Sequence, residues 1–246
     1  MENQLISIGE AASQIGVSID TLRRWEKEGI LTSFRPSPAS KRYYRRKDID
    51  KFLEKAQQNP KEENLIELAK QWVLNEPKDP PAAFYCQTSD IFYARLQSLE
   101  ITLSKHKDIK KIIPLIIAIT GEIGNNSYNH NIGNWPDVPG IFFGQDLKQK
   151  FVVLADRGQG VLKSLKRVKP SLKDHGQALR TAFTEYISGR APENRGNGLK
   201  FVKDIVLGNA FHLEFYSGNA KVEMGSSMTI KKLGTIYKGS LAIIKY

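Results

Sequence analysis

Three short stretches of this chain carry residue types that could do chemistry. The first is GEIGNNSYNHN (121–131), where Glu122, Asn126 and His130 stand at i, i+4 and i+8, a spacing that puts all three on one helical face. An Asn amide oxygen can serve Mg²⁺, which prefers oxygen and keeps several waters around a bound nucleotide. A Glu one turn earlier could position or deprotonate an attacking water or hydroxyl. The second stretch is VVLADRGQGV (152–161), an apolar run closing on Asp156 and followed by Gly158 and Gly160. A carboxylate at a strand end can accept an exocyclic amine, which selects adenine over guanine, and glycines let the backbone approach a ligand closely. The third is RGNGLKFVKD (195–204), where Gly196 and Gly198 open a helix and Arg190 and Arg195 flank the glycines. Free N–H groups at a helix start suit phosphate, and arginine suits bidentate phosphate binding. Taken singly, each stretch also has a plain reading: a glycine turn, a surface amide at Asn126, a satisfied core histidine at His130.

A second kind of chemistry is written at the N-terminus. A helix is expected from Ser18 to Glu28, with Leu22, Trp25 and Gly29 on its inner face and Thr21, Arg24 and Lys27 outside, Arg23 at the edge. Such a helix suits a major groove, where Arg forks onto guanine and Thr touches thymine methyl groups. Between Arg35 and Lys47 lie six basic residues and no acid, interleaved with Tyr43 and Tyr44, a composition that can grip phosphates beside the helix.

The elements that must position these groups follow from periodicity. Apolar residues at 8, 11, 12 and 15 predict a first helix, and a turn at Gly16-Val17 separates it from the second. Residues 31–34 and 41–45 read as two strands of a wing around PSPAS, and 47–58 as another amphipathic helix. A connecting helix at 65–74 and the Pro-rich EPKDPPAA (76–83) follow, then a helix at 91–103. From Ile112 a long helix gives way to strand-like runs at 141–143, 151–154, 211–216, 228–230 and 241–244. The expected organisation is α+β: 1–58 a winged helix-turn-helix, 59–90 a connecting helix and linker, 91–246 a two-layer α/β sandwich.

Composition bounds the rest. The 246 residues carry a formal net charge of +11 with 40% hydrophobic residues, which fits a globular chain and excludes a disordered one. By segment, 1–58 has a net charge of +3, 59–150 of −1 and 151–246 of +9, so the basic excess lies mostly away from the helix-turn-helix. Cys86 is the only cysteine, which excludes an intramolecular disulfide and a cysteine-cluster metal site. The apolar run at 112–119 contains Pro114 and falls far short of the ~20 residues that span a bilayer. A cytoplasmic location and no membrane partner are expected, since the first residues lack the apolar run of a secretory signal.

Two resemblances sharpen these readings. SIGEAASQIGVSIDTLRRWEKEGIL…KRYYRRKDIDKFL resembles the winged helix-turn-helix of the MerR and excisionase families. The resemblance implies double-stranded DNA as partner, Thr21, Arg23 and Arg24 as readers with Lys27 beside them, and Arg42 and Tyr44 as the phosphate-contacting wing. The order E-x3-N-x3-H, D-x-G-x-G, G-x-G-L resembles the GHKL (histidine kinase-like) ATPase superfamily and its Bergerat-type fold. That resemblance implies ATP and Mg²⁺ as cofactors: Glu122 and Asn126 as the N-box with Asn126 on Mg²⁺, and His130 on the same face. It also implies Asp156 on adenine, Gly158 and Gly160 shaping the adenine pocket, and Gly196 and Gly198 facing phosphates. Residues 160–196 would then be a basic lid containing Arg190 and Arg195. KGSLAIIKY resembles the family's last motif, with Gly239-Ser240 where Gly-Thr is usual and Gly234-Thr235 as the alternative.

His106 lies only 16 residues before Glu122 and lacks a dimeric four-helix bundle, so a histidine autokinase is not expected. The expected function is a DNA-binding transcriptional regulator whose ATP domain switches conformation or partner binding. Two alternatives stay open: an anti-sigma-type Ser/Thr protein kinase acting on a STAS-like partner, with Glu122 as the catalytic base, and an ATP-dependent mobile-element DNA factor. A homodimer is also left open.

Overall fold

The computed structural model describes residues 4–15, 17, 19–27, 29, 31–35, 37, 40–57, 65–186 and 198–246, the side chains of 53–57 excepted. Arg190, Arg195 and Gly196 lie outside the described residues. The chain divides into two compact units, Met1–Glu62 and Glu63–Tyr246.

In the N-terminal unit, β1 (Leu5–Ser7) leads into α1 (Ile8–Ile15), then α2 (Ile19–Lys27), β2 (Tyr43–Arg45) and α3 (Arg46–Gln57). The start of α1 is fixed by a reciprocal capping box: Ser7 N–H donates to the Glu10 carboxylate at 2.8 Å, and Glu10 N–H donates to Ser7 Oγ at 3.2 Å. Gly29 closes α2 with φ of 71°, a left-handed conformation that glycine adopts without strain. Ile6, Ala11, Ala12, Ile15, Leu22, Trp25, Tyr44 and Ile49 form the buried interior, and Trp25 packs on Phe52 with ring centroids 5.3 Å apart. The wing is slighter than the two predicted strands. Phe34 and Tyr43 meet in a single antiparallel bridge, while β2 pairs with β1, Ile6 lying opposite Tyr44.

The C-terminal unit is built on a five-stranded antiparallel sheet of order β3-β4-β5-β7-β6, formed by Tyr85–Cys86, Ile141–Asp146, Phe151–Asp156, Met228–Lys245 and His212–Met224. Its helices are α4 (Leu65–Leu74), α5 (Ser89–Leu103), α6 (Ile113–Asn131), α7 (Gly160–Lys166), α8 (His175–Thr184) and α9 (Gly198–Gly208). Alternation along β5 sends Val152 and Leu154 into one core and Phe151, Val153 and Ala155 into another. The first core is closed by α5, α6, α8 and α9, through residues such as Leu99, Ile119, Phe183 and Val202. The second is closed by α4, whose Leu65, Ala69, Trp72 and Val73 are buried there with Phe142 and Ile243.

This corrects the reading of 65–74 as a connector and of the sandwich as two-layered. The spacing of 65, 69, 72 and 73 is that of one apolar helical face, and the sheet offers that face a surface to bury. The sheet is therefore covered on both sides, and the boundary falls between Glu62 and Glu63 rather than near residue 90. The runs at 228–230 and 241–244, read as two strands, are the ends of one 18-residue strand, β7. No helix among the described residues is long and apolar enough to cross a membrane.

Candidate functional sites

The candidate DNA-contacting residues of the N-terminal unit divide by exposure. Arg23 and Lys27 are exposed on α2, and Arg24 is half-buried. Arg23 is paired with Asp20 one turn earlier at 2.8 Å. Thr21 is only 8% exposed, because a residue four before Trp25 shares the inward face with it, so its placement on the outer face is corrected. Tyr44 is fully buried, since alternation along β2 turns Tyr44 inward where Arg45 faces out. It is a core residue and not a phosphate contact of the wing. Arg42 is neither free nor remote: its Nε donates to Glu26 Oε2 at 2.6 Å, and Ser33 Oγ donates to the other oxygen of Glu26.

Glu26, which the sequence reading passed over, thus ties α2 to both sides of the wing. Burial would raise its carboxyl, but the hydrogen bonds from Ser33 and Arg42 and the nearby Arg42 and Arg35 charges outweigh that and hold it below its ordinary value. The exposed cations of this unit include Arg35, Lys41, Arg45, Arg46 and Lys47.

In the C-terminal unit the candidate nucleotide residues gather from four elements. Helix α6 carries Glu122, Asn126 and His130, all half-buried. The start of α9 lies against the first two: a Cβ on Gly198 would overlap Glu122 Oε1 and come within 3.0 Å of Asn126 Nδ2. A side chain larger than hydrogen at 198 would displace them.

Asp156 ends β5 and is 3% exposed. Ser127 Oγ donates to its Oδ2 at 2.8 Å and Gly158 N–H to its Oδ1 at 2.8 Å. Opposite it on β7 stands Ser240, whose N–H and hydroxyl also hydrogen-bond the carboxylate. Burial dominates these bonds and pushes the carboxyl up to about 6. The alternative pair Gly234-Thr235 is exposed and lies away from this register. Gly239, with φ of 66°, permits the approach, since a Cβ there would overlap the Asp156 main chain and carboxylate.

The glycine loop after Asp156 is fastened by residues that spacing did not single out. Asn131, 3% exposed, donates to Ser127 O at 2.7 Å and accepts from Gln159 N–H at 2.8 Å. A Cβ on Gly158 would overlap the Asn131 amide. The His130 carbonyl accepts from Gln159 Nε2 at 3.1 Å. Gly160 has φ of 73°, and the next N–H, that of Val161, donates to Ser217 Oγ at 3.0 Å. Ser217 Oγ donates in turn to Gly239 O at 2.8 Å.

Arg157 points to the other side of the sheet from Asp156. Its side chain is fully buried and grips Asp137 with two bonds, Nε to Oδ1 at 3.0 Å and Nη2 to Oδ2 at 2.7 Å. Nη1 donates to the carbonyls of Trp72 and, at 3.2 Å, Asn75 at the end of α4, where a cation also meets the negative end of the helix dipole. Nothing in the linear sequence announces this clamp, because two of its acceptors are backbone carbonyls some 80 residues away. Cys86 is buried, and burial pushes its thiol up to about 11, which makes it a poor nucleophile.

Comparison with known proteins bears on one end of the chain. No curated protein matches it. The MerR HTH family regulatory protein profile matches residues 6–54, which spans α1, α2, the wing and most of α3. Residues 6–54 are thus a MerR-type helix-turn-helix, which suggests a DNA-binding transcriptional regulator.

Proposed function

We propose that this protein is a DNA-binding transcriptional regulator whose C-terminal unit binds ATP·Mg²⁺ in a GHKL-like fold and thereby alters its action on DNA. The observation that carries the nucleotide half is the enclosure of Asp156 between Ser127 of α6 and Ser240 of β7, beside a glycine loop. A carboxylate has lone pairs for about four hydrogen bonds, and Ser127, Gly158 and the two groups of Ser240 take them, so an adenine amine would be received in place of the Ser240 hydroxyl. Glu122 and Asn126 lie one turn apart against Gly198, within the same helix layer. Asn126 would hold Mg²⁺ through its amide oxygen. The nucleotide's phosphates and waters would supply the other oxygens, as is usual for Mg²⁺.

When bound, ATP·Mg²⁺ supplies a polyanion whose contacts can favour one arrangement of the loops over another. Calorimetric titration of ATP with Mg²⁺ tests the reading. The wild-type chain should bind, with affinity rising as pH increases through about 6 and Asp156 ionises. Asp156→Asn should bind at least about tenfold more weakly, a loss of ~1.4 kcal/mol, with an unchanged circular dichroism spectrum. Wild-type chain that does not bind ATP overturns the proposal, and equal binding by both proteins removes Asp156 from the adenine contact. Operator affinity measured with and without ATP·Mg²⁺ reports the switch.

A further inference from the structure

A cavity of about 430 Å³ opens on the far side of the glycine loop. Its volume lies within the range of small-molecule sites. Gly158, Gly160 and Gly239 line it, but none of Glu122, Asn126, Ser127, Asp156, Gly198 or Ser240 does, so it shares the glycine loop with the nucleotide site proposed above and takes its other lining from different elements. Lys163 and Lys166 reach it from α7 and Lys238 from β7. The one acid on its wall, Asp137, already spends its charge on Arg157. The cavity is therefore electropositive.

Two features look built for an occupant. His175 stands at the start of α8, and its Nδ1 lies 2.8 Å from Asn219 Oδ1. An amide oxygen can only accept, so Nδ1 carries the proton and Nε2 remains for a ligand. The ring lies so close to Gly218, where φ is 60°, that a Cβ there would overlap it. The second feature is a break in the β6–β7 ladder. Pairing passes from Ser217 opposite Ser240 to Gly218 opposite Tyr237, then to Ala220 opposite Lys232. β7 therefore spends more residues than β6 over this span and bulges. The bulge brings Ile236, 66% exposed, and Tyr237 to the cavity. Tyr237 is held by Tyr216, ring centroids 4.8 Å apart.

We propose that this cavity binds a small phosphorylated organic molecule. The phosphate sits among Lys163, Lys166 and Lys238, a protonated phosphate oxygen donating to His175 Nε2, and the organic body lies against Ile236 and Tyr237. Ammonium groups are phosphate donors, while an exposed isoleucine on a bulge gives an apolar body something to cover.

Phenyl phosphate and inorganic phosphate are the probes, with the His175 ring nitrogens followed by NMR in the full chain. Phenyl phosphate should shift Nε2 and bind more tightly than inorganic phosphate. The double variant Lys163→Gln/Lys166→Gln, both at exposed positions, should weaken both probes at least about tenfold. Ile236→Ser should lower phenyl phosphate affinity toward that of inorganic phosphate. Asn126→Ala, away from the cavity lining, should leave both unchanged, whatever it does to ATP. An unmoved His175, or equal binding by the lysine variant, overturns the proposal. Loss of binding in Asn126→Ala overturns it by assigning the probes to the nucleotide site. Displacement of phenyl phosphate by a short DNA duplex overturns it in favour of a nucleic-acid surface.

Discussion

The N-terminal unit keeps its cations at the surface, where Arg23 is paired with Asp20 in open solvent and Arg42 leans on a Glu26 that is itself about a quarter exposed. The C-terminal unit instead encloses a carboxylate and a guanidinium on successive residues: Asp156 faces the layer of α6, and fully buried Arg157 faces α4. Charges of the first kind remain available to a polyanion and contribute little to folding. Charges of the second kind are committed before any ligand arrives, and the fold depends on their partners. A DNA-binding surface can be assembled from exposed side chains on a small core. A site that must hold an ionisable group out of water needs a large one.

The contrast would break most visibly at Arg157. Replacing it with Met leaves Asp137 without its cationic partner and removes the guanidinium from the carbonyls of Trp72 and Asn75, so the C-terminal unit should lose about 3–5 kcal/mol, the cost of breaking a buried pair. Thermal denaturation of the full chain should show the loss as a lowered transition, partly restored when Asp137→Asn is added. A cost no larger than that of Arg42→Met would erase the distinction between the units.

Asp156 gives the next effect, through pH. Its unfolded carboxyl titrates near about 3.9 and its folded one near about 6. The native state holds the proton more tightly, so this group's stabilisation is complete below about pH 4 and is lost as pH rises through 6. The difference amounts to about 3 kcal/mol. Denaturant titrations at several pH values should show that downward trend in wild type relative to Asp156→Asn, and parallel curves would place Asp156 in water.

The smallest effects belong to the N-terminal unit. Arg42→Met should cost about 1 kcal/mol or less, measured by the same melts. Tyr44→Phe should be neutral or slightly stabilising, because the Tyr44 hydroxyl is buried with no hydrogen-bond partner and its removal relieves a desolvated group. A clear destabilisation by Tyr44→Phe would mean that the hydroxyl finds a partner.

What was legible beforehand follows the range over which each signal acts. Helices such as α1, α2 and α6 were legible within a few residues because their apolar spacing and stop signals are local. The helix at 65–74 was placed correctly, yet its role was misjudged: its apolar face is visible in the spacing, but not the sheet that receives it. Thr21 was misassigned for a local reason, its four-residue distance from Trp25, which the spacing already contained. β7 was divided in two because the polar KKLGTIYKGS interrupts its apolar ends, where the strand bulges and faces solvent. Of the candidate site, Glu122, Asn126, Asp156, Gly198 and Ser240 stood out by type and order. Asn131, Ser217 and Arg157 did not, because each works through a backbone group or a residue distant in sequence.

The Arg157 clamp also decides where the chain can be cut. A fragment starting at residue 91 would discard the two carbonyls that receive the guanidinium and bare the apolar sheet face that α4 covers. One starting at Glu63 keeps both, so dissection of the two halves belongs at that point.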